Sequence, residues 1–314
     1  MKLDLTKLYP SMNCLRRLCS FRTKFSILFI FFSILLCGCF SRYNMTEKQI
    51  REHYHGTSSM PSFHEIRNDS VTLFCAVKGS DTLPPLLLIH GAPGGWFGYI
   101  GILDDSDICK HYQVISVDRP GYHFSRFKGK RKALTSIYKQ SVAIHEALAL
   151  NRSGKAGVVL GSSYGGPIAA KITYLFPAAF RQAILLAPAI DPDREKFWWF
   201  SKIGRMPIVR GFLPHFLNAA TDEKFSHVTE LKKMMAEWDR IRVPITVVQG
   251  DADKIVDPAN LDFAKAHLHL PGDAFILVPG AHHLLRNQHP ELVKALLLQP
   301  VNPIPVPHYS FNTN

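Results

Sequence analysis

The chain contains 314 residues, of which 46% are apolar and 20% are charged. This composition excludes a disordered or low-complexity protein and provides enough apolar sequence for one sizeable core, or at most two domains. The formal net charge is +12, but residues 1–38 hold six basic residues against one acidic residue and supply five of these units. The remaining charge is largely dispersed and no nucleic-acid-binding motif accompanies it, so nucleic acid is not a predicted partner.

Residues 1–38 have the pattern of a signal peptide. Residues 25–36 read FSILFIFFSILL, a run of twelve apolar or small residues that follows several basic ones. A helix that spans a bilayer needs about 20 residues, so this length is typical of the hydrophobic region of a cleaved leader. We predict a signal peptide over residues 1–38, and the sequence leaves the start open between Met1 and Met12.

The run Leu36-Cys37-Gly38-Cys39 comes directly after this leader. It resembles the bacterial lipobox, in which a small residue precedes a cysteine that is lipidated and becomes the mature N-terminus. The resemblance implies that Cys39 carries a lipid and that the protein is a membrane-anchored lipoprotein of a bacterial cell envelope. The alternative is an uncleaved signal anchor that extends through Phe40.

Four of the six cysteines lie in the first forty residues, which excludes a disulfide-based scaffold for the rest of the chain. The sequence leaves open whether the other two, Cys75 and Cys109, pair with each other.

The sequence after the leader divides into three parts. Residues 39–62 are polar and weakly patterned, and we predict that they form a tether. Residues 63–298 form the predicted folded domain, with an insertion at about residues 191–242. Residues 299–314 hold four prolines and are predicted to form a surface tail.

The predicted domain alternates between short apolar runs and helix-like segments. We predict strands at residues 71–77, 86–89, 113–117, 157–160, 183–186, 245–248 and 274–278. We predict helices at residues 135–150, from Ser163 onward, and at residues 258–267 and 290–298. Continuous apolar runs separated by helices indicate a mostly parallel sheet with helices on both faces, so the predicted fold class is α/β.

One predicted strand leads into the sequence Gly161-Ser162-Ser163-Tyr164-Gly165, after which a predicted helix begins. The pattern G-x-S-x-G between a strand and a helix is that of a nucleophile elbow. Small residues on both sides let the chain turn sharply and hold the central serine clear of the sheet. Ser163 is therefore a candidate nucleophile.

A serine hydroxyl is a weak nucleophile unless a base takes its proton, so a histidine and an orienting acid should follow later in the chain. His282 and His283 follow the predicted strand at residues 274–278. Asp251 and Asp253 follow the preceding strand. The order serine, acid, histidine is that of one large family of hydrolases.

Four motifs together resemble the α/β-hydrolase family, in its esterase, lipase and iminopeptidase-like branches, over nearly all of residues 65–298. They are the HGAPGG run at residues 90–95, the DRPGYHFS run at residues 118–125, the serine turn, and the acid and histidine segments. The resemblance implies an α/β-hydrolase fold with a small cap formed by the insertion.

The same resemblance implies that Ser163 is the nucleophile, Asp253 the acid and His283 the base. In the family the acid usually stands third after a glycine and before an apolar pair, which selects Asp253 over Asp251. The histidine stands seven residues before a proline, which selects His283 over His282. Asp251 and His282 are then structural.

The oxyanion hole follows from the same correspondence. The backbone N–H groups of Ala92 and Tyr164 are the implied donors. His90 is interpreted as a loop histidine that fixes the turn. The chain departs from the family at His123, where the second glycine of the DRPGxGxS stretch is expected, and this departure affects the shape of the pocket.

These features predict a serine hydrolase that cleaves a carboxylic ester, or a related small acyl compound, through an acyl-enzyme. No metal or organic cofactor is implied. Two alternatives remain open: an aminopeptidase- or iminopeptidase-like amide hydrolase, and a non-catalytic binding protein of the same fold. The amide hydrolase would need an acidic residue for a free amino terminus, which Glu195, Glu223 or Glu230 could supply, although exposed surface glutamates are the simpler interpretation.

The insertion is expected to lie over the C-terminal end of the sheet. Its apolar side chains predict either an apolar lining for the substrate pocket or ordinary packing of short helices. These side chains are Phe197, Trp198, Trp199, Met206, Phe212 and Phe216.

Overall fold

The structure is a computed structural model that describes residues 45–56, 60–129, 133–197 and 199–299, without the side chains of Trp199 and Phe200. The predicted signal peptide, the lipidation site Cys39 and the tail from residue 300 onward lie outside the described residues. The chain divides into two units between His53 and Tyr54.

The first unit contributes one described helix, α1 (Glu47–His53). It lies within the segment that the sequence predicts to be a weakly patterned tether. The helix begins with a capping box, since the Thr46 N–H donates to Gln49 Oε1 and the Gln49 N–H donates to Thr46 Oγ1. Glu47 and Arg51 add an ion pair one turn apart. These local contacts need no apolar periodicity, which is why the prediction did not include the helix.

Within its described residues, the second unit contains one sheet of nine strands. They are β1 (Ser62–Arg67), β2 (Val71–Lys78), β3 (Pro85–Ile89), β4 (Gln113–Val117), β5 (Arg126–Phe127), β6 (Gly157–Ser162), β7 (Phe180–Leu186), β8 (Ile245–Gly250) and β9 (Phe275–Val278). Their spatial order is β1-β2-β4-β3-β6-β7-β8-β9, with β5 paired to β2. Strand β2 pairs antiparallel with β1, β4 and β5, and the remaining neighbours pair in parallel. The predicted fold class, a mostly parallel α/β sheet, is confirmed.

All seven predicted strands are present, and several extend further than predicted. Strand β7, for example, begins at Phe180 rather than Ala183. Every residue of β3, β4 and β6 is buried. Burial on both faces explains why these strands read as continuous apolar runs rather than alternating ones.

Ten further helices belong to the described part of the second unit. They are α2 (Ile100–Leu103), α3 (Ser106–His111), α4 (Ile137–His145), α5 (Gly165–Leu175), α6 (Trp199–Ile203), α7 (Pro207–Phe212), α8 (His215–Met234), α9 (Asn260–His267), α10 (Leu285–Gln288) and α11 (Pro290–Leu298). The predicted helix at residues 135–150 is α4 followed by the 3₁₀ segment Glu146–Leu150. In the part of the chain that the structure describes, no helix has both the length and the apolar character needed to cross a bilayer.

The insertion contains α6, α7 and α8, and three of its predicted lining residues, Phe197, Met206 and Phe212, are exposed, while Trp198 and the Trp199 side chain lie outside the described part. Met206 is 52% exposed and Phe212 is 69% exposed, while Phe197 packs on Phe225. Phe216 is buried and stacks on His123.

Cys75 is buried on β2 and Cys109 is half-buried on α3, and both are free thiols. The question that the sequence left open is therefore settled against a disulfide between them.

Candidate active site

Ser163 lies in a sharp turn between β6 and α5. Its φ is +54°, in the left-handed region that non-glycine residues seldom adopt. The Ser163 N–H donates to the Leu186 carbonyl at 2.9 Å, and the Ser163 carbonyl accepts from the Gly166 N–H at 2.9 Å. These bonds hold a strained residue in place, and they leave Ser163 partly exposed between two buried neighbours, Ser162 and Tyr164.

The glycines of the motif are explained by close backbone approach. A Cβ at Gly161 would lie 2.2 Å from the Gly165 carbonyl oxygen. A Cβ at Gly165 would lie 2.3 Å from the Ile89 carbonyl oxygen. Neither position can hold a larger residue without moving the backbone of the elbow, so the G-x-S-x-G pattern reflects the packing of β6, α5 and the end of β3.

Asp253 and His283 form a hydrogen-bonded pair. His283 Nδ1 lies 2.8 Å from Asp253 Oδ2. Asp253 Oδ1 accepts from the N–H groups of Ile255, at 2.8 Å, and Val256, at 3.0 Å. Burial would raise the pKa of Asp253, but the hydrogen bonds from His283 and from these two amides hold it below its usual value. The carboxylate therefore stays ionised and fixes the imidazole with its hydrogen on Nδ1 and the lone pair on Nε2.

The two neighbouring candidates make different contacts. Asp251 Oδ1 accepts from the Gly280 N–H at 2.7 Å. His282 is exposed, with Nδ1 3.0 Å from the Ala252 carbonyl oxygen. The structure thus brings together the acid and histidine that the sequence selected, while their neighbours bond to the loop backbone.

The loop after β3 lies against the serine. A Cβ at Gly91 would lie 3.0 Å from Ser163 Cβ and 3.5 Å from Ser163 Oγ. The Ala92 and Tyr164 backbone N–H groups have no hydrogen-bond acceptor among the described residues. Two unbonded donors at this loop and at the start of α5 suit a developing oxyanion, and their catalytic role stays a prediction.

His90 connects the loop after β3 to the loop after β4. Its Nε2 accepts from the Arg119 N–H at 3.0 Å, so Nδ1 carries the hydrogen and donates to the Gly91 carbonyl at 2.7 Å. Burial is the main cause that lowers the pKa of His90. Both ring nitrogens are thus occupied by backbone groups, in agreement with the interpretation of His90 as a residue that fixes the turn.

A buried ion pair joins the loop after β4 to helix α8 of the insertion. The Arg119 guanidinium donates to both carboxylate oxygens of Glu223 on α8, at 2.6 Å and 2.9 Å. Tyr122 and Gln140 donate to the same carboxylate. Both charged side chains are essentially inaccessible to solvent. The interpretation of Glu223 as an exposed surface residue is therefore wrong.

The other two candidate glutamates, Glu195 and Glu230, also have largely buried side chains and are paired. Glu195 contacts Lys224 and His227, and Glu230 accepts from the Ile137 N–H at 3.1 Å. Sequence reasoning missed these contacts because Glu223, His227 and Glu230 follow a helical spacing that is typical of a solvated face, while their partners lie far away in the sequence.

His123 occupies the position where the family has a glycine, and it keeps the left-handed backbone with φ of +41°. Its Nε2 lies 2.9 Å from the Gly94 carbonyl oxygen, and its ring stacks on Phe216 with centroids 5.0 Å apart. Burial lowers the pKa of His123 to about 4, so the ring is neutral and Nε2 donates to Gly94. The side chain ties the DRPGYHFS loop to the cap.

The described residues contain no group of three or more histidine, cysteine, aspartate or glutamate side chains arranged to hold a metal ion.

Comparison with known proteins identifies the family of the chain. A sequence model of the alpha/beta hydrolase family matches residues 86–296. No curated protein sequence matches the chain. Among solved structures, the chain is similar to a hydrolase from Pseudomonas aeruginosa PA01, with 15% identity, 76% of this chain and 99% of that chain covered, and a TM-score of 0.57.

Two other solved structures share the fold. A membrane phospholipase A, described as a bacterial virulence factor, has 18% identity and a TM-score of 0.57, with 91% of this chain and 98% of that chain covered. The N-acyl homoserine lactonase AidH, complexed with N-butanoyl homoserine, has 19% identity and a TM-score of 0.58, with 75% and 94% covered. These likenesses concern the fold. Because the family match spans more than half of the sequence, the chain belongs to the alpha/beta hydrolase family.

Proposed function

We propose that this protein is a serine hydrolase that cleaves a carboxylic ester, or a related acyl compound, through an acyl-enzyme. The observation that carries the proposal is the Asp253–His283 hydrogen bond of 2.8 Å at the same edge of the sheet as the strained Ser163. Strands β6, β8 and β9 run in the same direction, so the segments that follow them, which carry Ser163, Asp253 and His283, leave the sheet at the same edge.

The first half-reaction acylates the serine. Ser163 Oγ attacks the carbonyl carbon of the substrate, and His283 Nε2 takes its proton. The carbonyl oxygen becomes an oxyanion that the N–H groups of Ala92 and Tyr164 bind. When the tetrahedral intermediate collapses, the bond to the leaving alcohol breaks and the alcohol oxygen takes the proton from His283. The acyl group remains on Ser163.

The second half-reaction returns the enzyme to its starting state. Water attacks the ester carbonyl on Ser163 while His283 Nε2 accepts a proton from it, and the same oxyanion donors act again. Collapse breaks the bond to Ser163 Oγ, which recovers its proton, and the carboxylic acid leaves. Asp253 stays ionised throughout and holds the imidazole in the required tautomer.

The fold neighbours support an acyl substrate in general terms, since they include a membrane phospholipase A, a thioesterase domain and an N-acyl homoserine lactonase. The contacts of the cap give no support to an aminopeptidase. Both Glu223 oxygens are bound by Arg119, Tyr122 and Gln140, so this carboxylate has no free face for a substrate ammonium group. An ester is therefore the proposed substrate.

The proposal is tested by labelling the purified protein with a fluorophosphonate, which reacts with activated serines. Wild type and the Ser162→Ala variant are expected to label and Ser163→Ala is not, with the fold of each checked by circular dichroism. Ser162 is the matched control because Tyr99, which bonds its hydroxyl, also reaches the Ile89 carbonyl at 2.8 Å. A folded wild type that does not label would overturn the proposal in favour of a non-catalytic binding protein.

We also propose, from the sequence alone, that Cys39 is lipidated and anchors the protein to a membrane. Intact-mass spectrometry of protein extracted from membranes tests this. A mature species that begins at Cys39 and carries acyl mass is expected, and a mature species without lipid on Cys39 contradicts it.

A further inference from the structure

The two short helices of the insertion, α6 and α7, carry a group of exposed apolar side chains. Ile203, Met206, Ile208 and Phe212 lie within a stretch of ten residues, and Ile208 is the most exposed of them, at 76%. Single exposed apolar residues are common on protein surfaces, but a group of them marks a site of interaction. We call these four residues the apolar surface of the cap.

The contacts of α7 show which side of this helix faces the protein. Arg210 donates to both carboxylate oxygens of Asp222 on α8, at 2.7 Å and 2.9 Å, and Asn218 on α8 donates to the Arg210 carbonyl at 2.9 Å. Ile208 and Phe212 are four residues apart and share one side of α7, whereas Arg210 is two residues from each and points elsewhere. The charged side chain thus faces α8 and the apolar ones face solvent, which reverses the usual arrangement of a surface helix.

The segment between α6 and α7 also packs on α8. A Cβ at Gly204 would lie 3.2 Å from Thr221 Oγ1, so the backbone closely approaches α8 at this point. The Arg205 guanidinium lies over the Phe225 ring, 4.5 Å from its centroid. The residues on either side of this Gly-Arg pair belong to the apolar surface of the cap. The contacts with α8 therefore hold the segment in place and leave its apolar side chains facing outward.

The charged residues of this segment all have the same sign. Residues 196–221 contain no aspartate or glutamate but four basic residues, Lys196, Lys202, Arg205 and Arg210. Two of these, Lys202 and Arg205, are exposed next to the apolar surface of the cap. Exposed cations beside exposed apolar side chains suit an anionic membrane, because the apolar groups enter the interface while the cations bind the phosphates of the headgroups.

The same charges oppose a second copy of the chain as the occupant of this surface. A two-fold symmetric contact uses the same patch on both subunits. It would bring Lys202 and Arg205 of both copies to one interface, and residues 196–221 contain no carboxylate to compensate them. Like charges placed together at an interface are unfavourable, whereas a layer of lipid phosphates is complementary to them.

We infer that the apolar surface of the cap, together with Lys202 and Arg205, docks on an anionic phospholipid membrane. Ile208 and Phe212 then lie at the boundary between headgroups and acyl chains, and the two cations lie at the level of the phosphates. This docking is separate from the chemistry at Ser163 and from the lipid proposed on Cys39. It places the insertion against the membrane.

Photo-cross-linking of the full chain tests this placement. The photoreactive amino acid p-benzoylphenylalanine, which inserts into nearby C–H bonds, replaces Phe212 in one variant, Ile208 in a second and Leu277 in a third. Leu277 is the control, because it is 50% exposed on β9, outside the insertion. Each variant is checked by circular dichroism and bound to vesicles of phosphatidylcholine and phosphatidylglycerol in equal parts. The chains that float with the vesicles are irradiated and analysed by intact-mass spectrometry.

Phospholipid adducts are expected at positions 208 and 212 and not at position 277. The comparison holds even if another segment attaches the chain to the vesicle, because an adduct reports only a contact close to the benzoyl group. The use of two positions keeps the test decisive if one variant does not fold. With Lys202→Ala and Arg205→Ala added, the adduct yield at position 212 should fall about fivefold or more, and it should fall similarly on phosphatidylcholine alone.

Four results would overturn the inference. The first is a folded chain that does not float with the mixed vesicles, and the second is an adduct yield at position 277 equal to that at positions 208 and 212. The third is a cross-linked dimer in place of lipid adducts, which would assign the surface to a second copy. The fourth is a yield that does not change when the two cations or the phosphatidylglycerol are removed, since the docking would then not depend on anionic lipid.

Discussion

The carboxylate of Asp253 has two separate sets of partners. Its Oδ2 accepts from His283 Nδ1 at 2.8 Å and from Gln249 Nε2 at 3.2 Å, and its Oδ1 accepts from two backbone N–H groups of the following turn. The turn thus fixes the carboxylate, and the carboxylate fixes the ring, before any substrate arrives. The position of the imidazole is set by this geometry rather than by substrate binding.

Replacement of Asp253 by asparagine should therefore reduce kcat for ester hydrolysis on the order of 10⁴-fold. The amide can still accept from the turn through its oxygen, but its NH₂ group faces His283 and favours the wrong tautomer. Steady-state hydrolysis of a nitrophenyl ester measures the effect. The control is Asp251→Asn, because the Asp251 carboxylate accepts from the Gly280 N–H rather than from the histidine. A loss of similar size in both variants would show that the two carboxylates act only through the loop.

The buried Arg119–Glu223 pair predicts a large effect on stability. Glu223→Gln leaves the Arg119 charge buried without a counter-ion, so the free energy of unfolding should fall by about 3–5 kcal/mol. Urea unfolding followed by circular dichroism measures it.

The matched control for this prediction is the neighbouring residue on α8. Asp222 pairs bidentately with Arg210, but both side chains are about one-third exposed. Asp222→Asn should cost less than about 1 kcal/mol, because solvent screens the pair. Equal losses at positions 222 and 223 would contradict the idea that burial of the charge makes the difference.

The central strands could be predicted from the sequence because burial on both faces forces continuous apolar runs, as in β3 and β4. Strand β1 could not be predicted in this way. It reads SFHEIR and is largely exposed, and it becomes a strand because its backbone pairs with β2 along its full length. Pairing with a distant segment leaves no periodic signal in such a polar edge strand.

In the candidate site too, some features follow from local sequence patterns and others from partners that are distant in the sequence. The serine turn and the acid and histidine loops are short local patterns, and the structure places Asp253 and His283 in contact, as the family resemblance implied. The partner of Glu223, by contrast, is Arg119, which is 104 residues away. A buried glutamate on a helix differs from a solvated one only through such a partner, so the polar face of the cap could not be inferred from α8 alone.

Asp118 provides a prediction about pH. Burial raises the pKa of this carboxyl to about 7, although the Trp96 and Phe124 N–H groups partly offset the effect. The folded protein therefore binds a proton at Asp118 more tightly than the unfolded chain, in which the pKa is near 3.8. Stability falls as the pH rises between these two values, because ionisation of the buried group opposes folding.

Asp118→Asn removes this penalty while keeping the shape of the side chain. The stability of the variant relative to wild type should increase by roughly 2–4 kcal/mol between pH 4 and pH 8. Urea unfolding of both proteins at several pH values measures the difference in their free energies of unfolding. The contributions of the other titrating groups are the same in both proteins and cancel in this difference. A difference that stays constant with pH would contradict the raised pKa.

The backbone of His123 gives the final prediction. At φ of +41°, a Cβ costs roughly 1–2 kcal/mol, which the native histidine offsets through its hydrogen bond to Gly94 and its stacking on Phe216. His123→Ala and His123→Gly both lose these contacts, so the difference between the two variants isolates the backbone. The glycine variant should be more stable than the alanine variant by about 1 kcal/mol.

The same pair of substitutions at Lys232, an exposed position within α8, should give the opposite order, because alanine is favoured over glycine inside a helix by about 1 kcal/mol. Urea unfolding midpoints of the four variants measure both differences. If alanine were the more stable residue at both positions, His123 would not have the left-handed backbone on which its link between the DRPGYHFS loop and the cap depends.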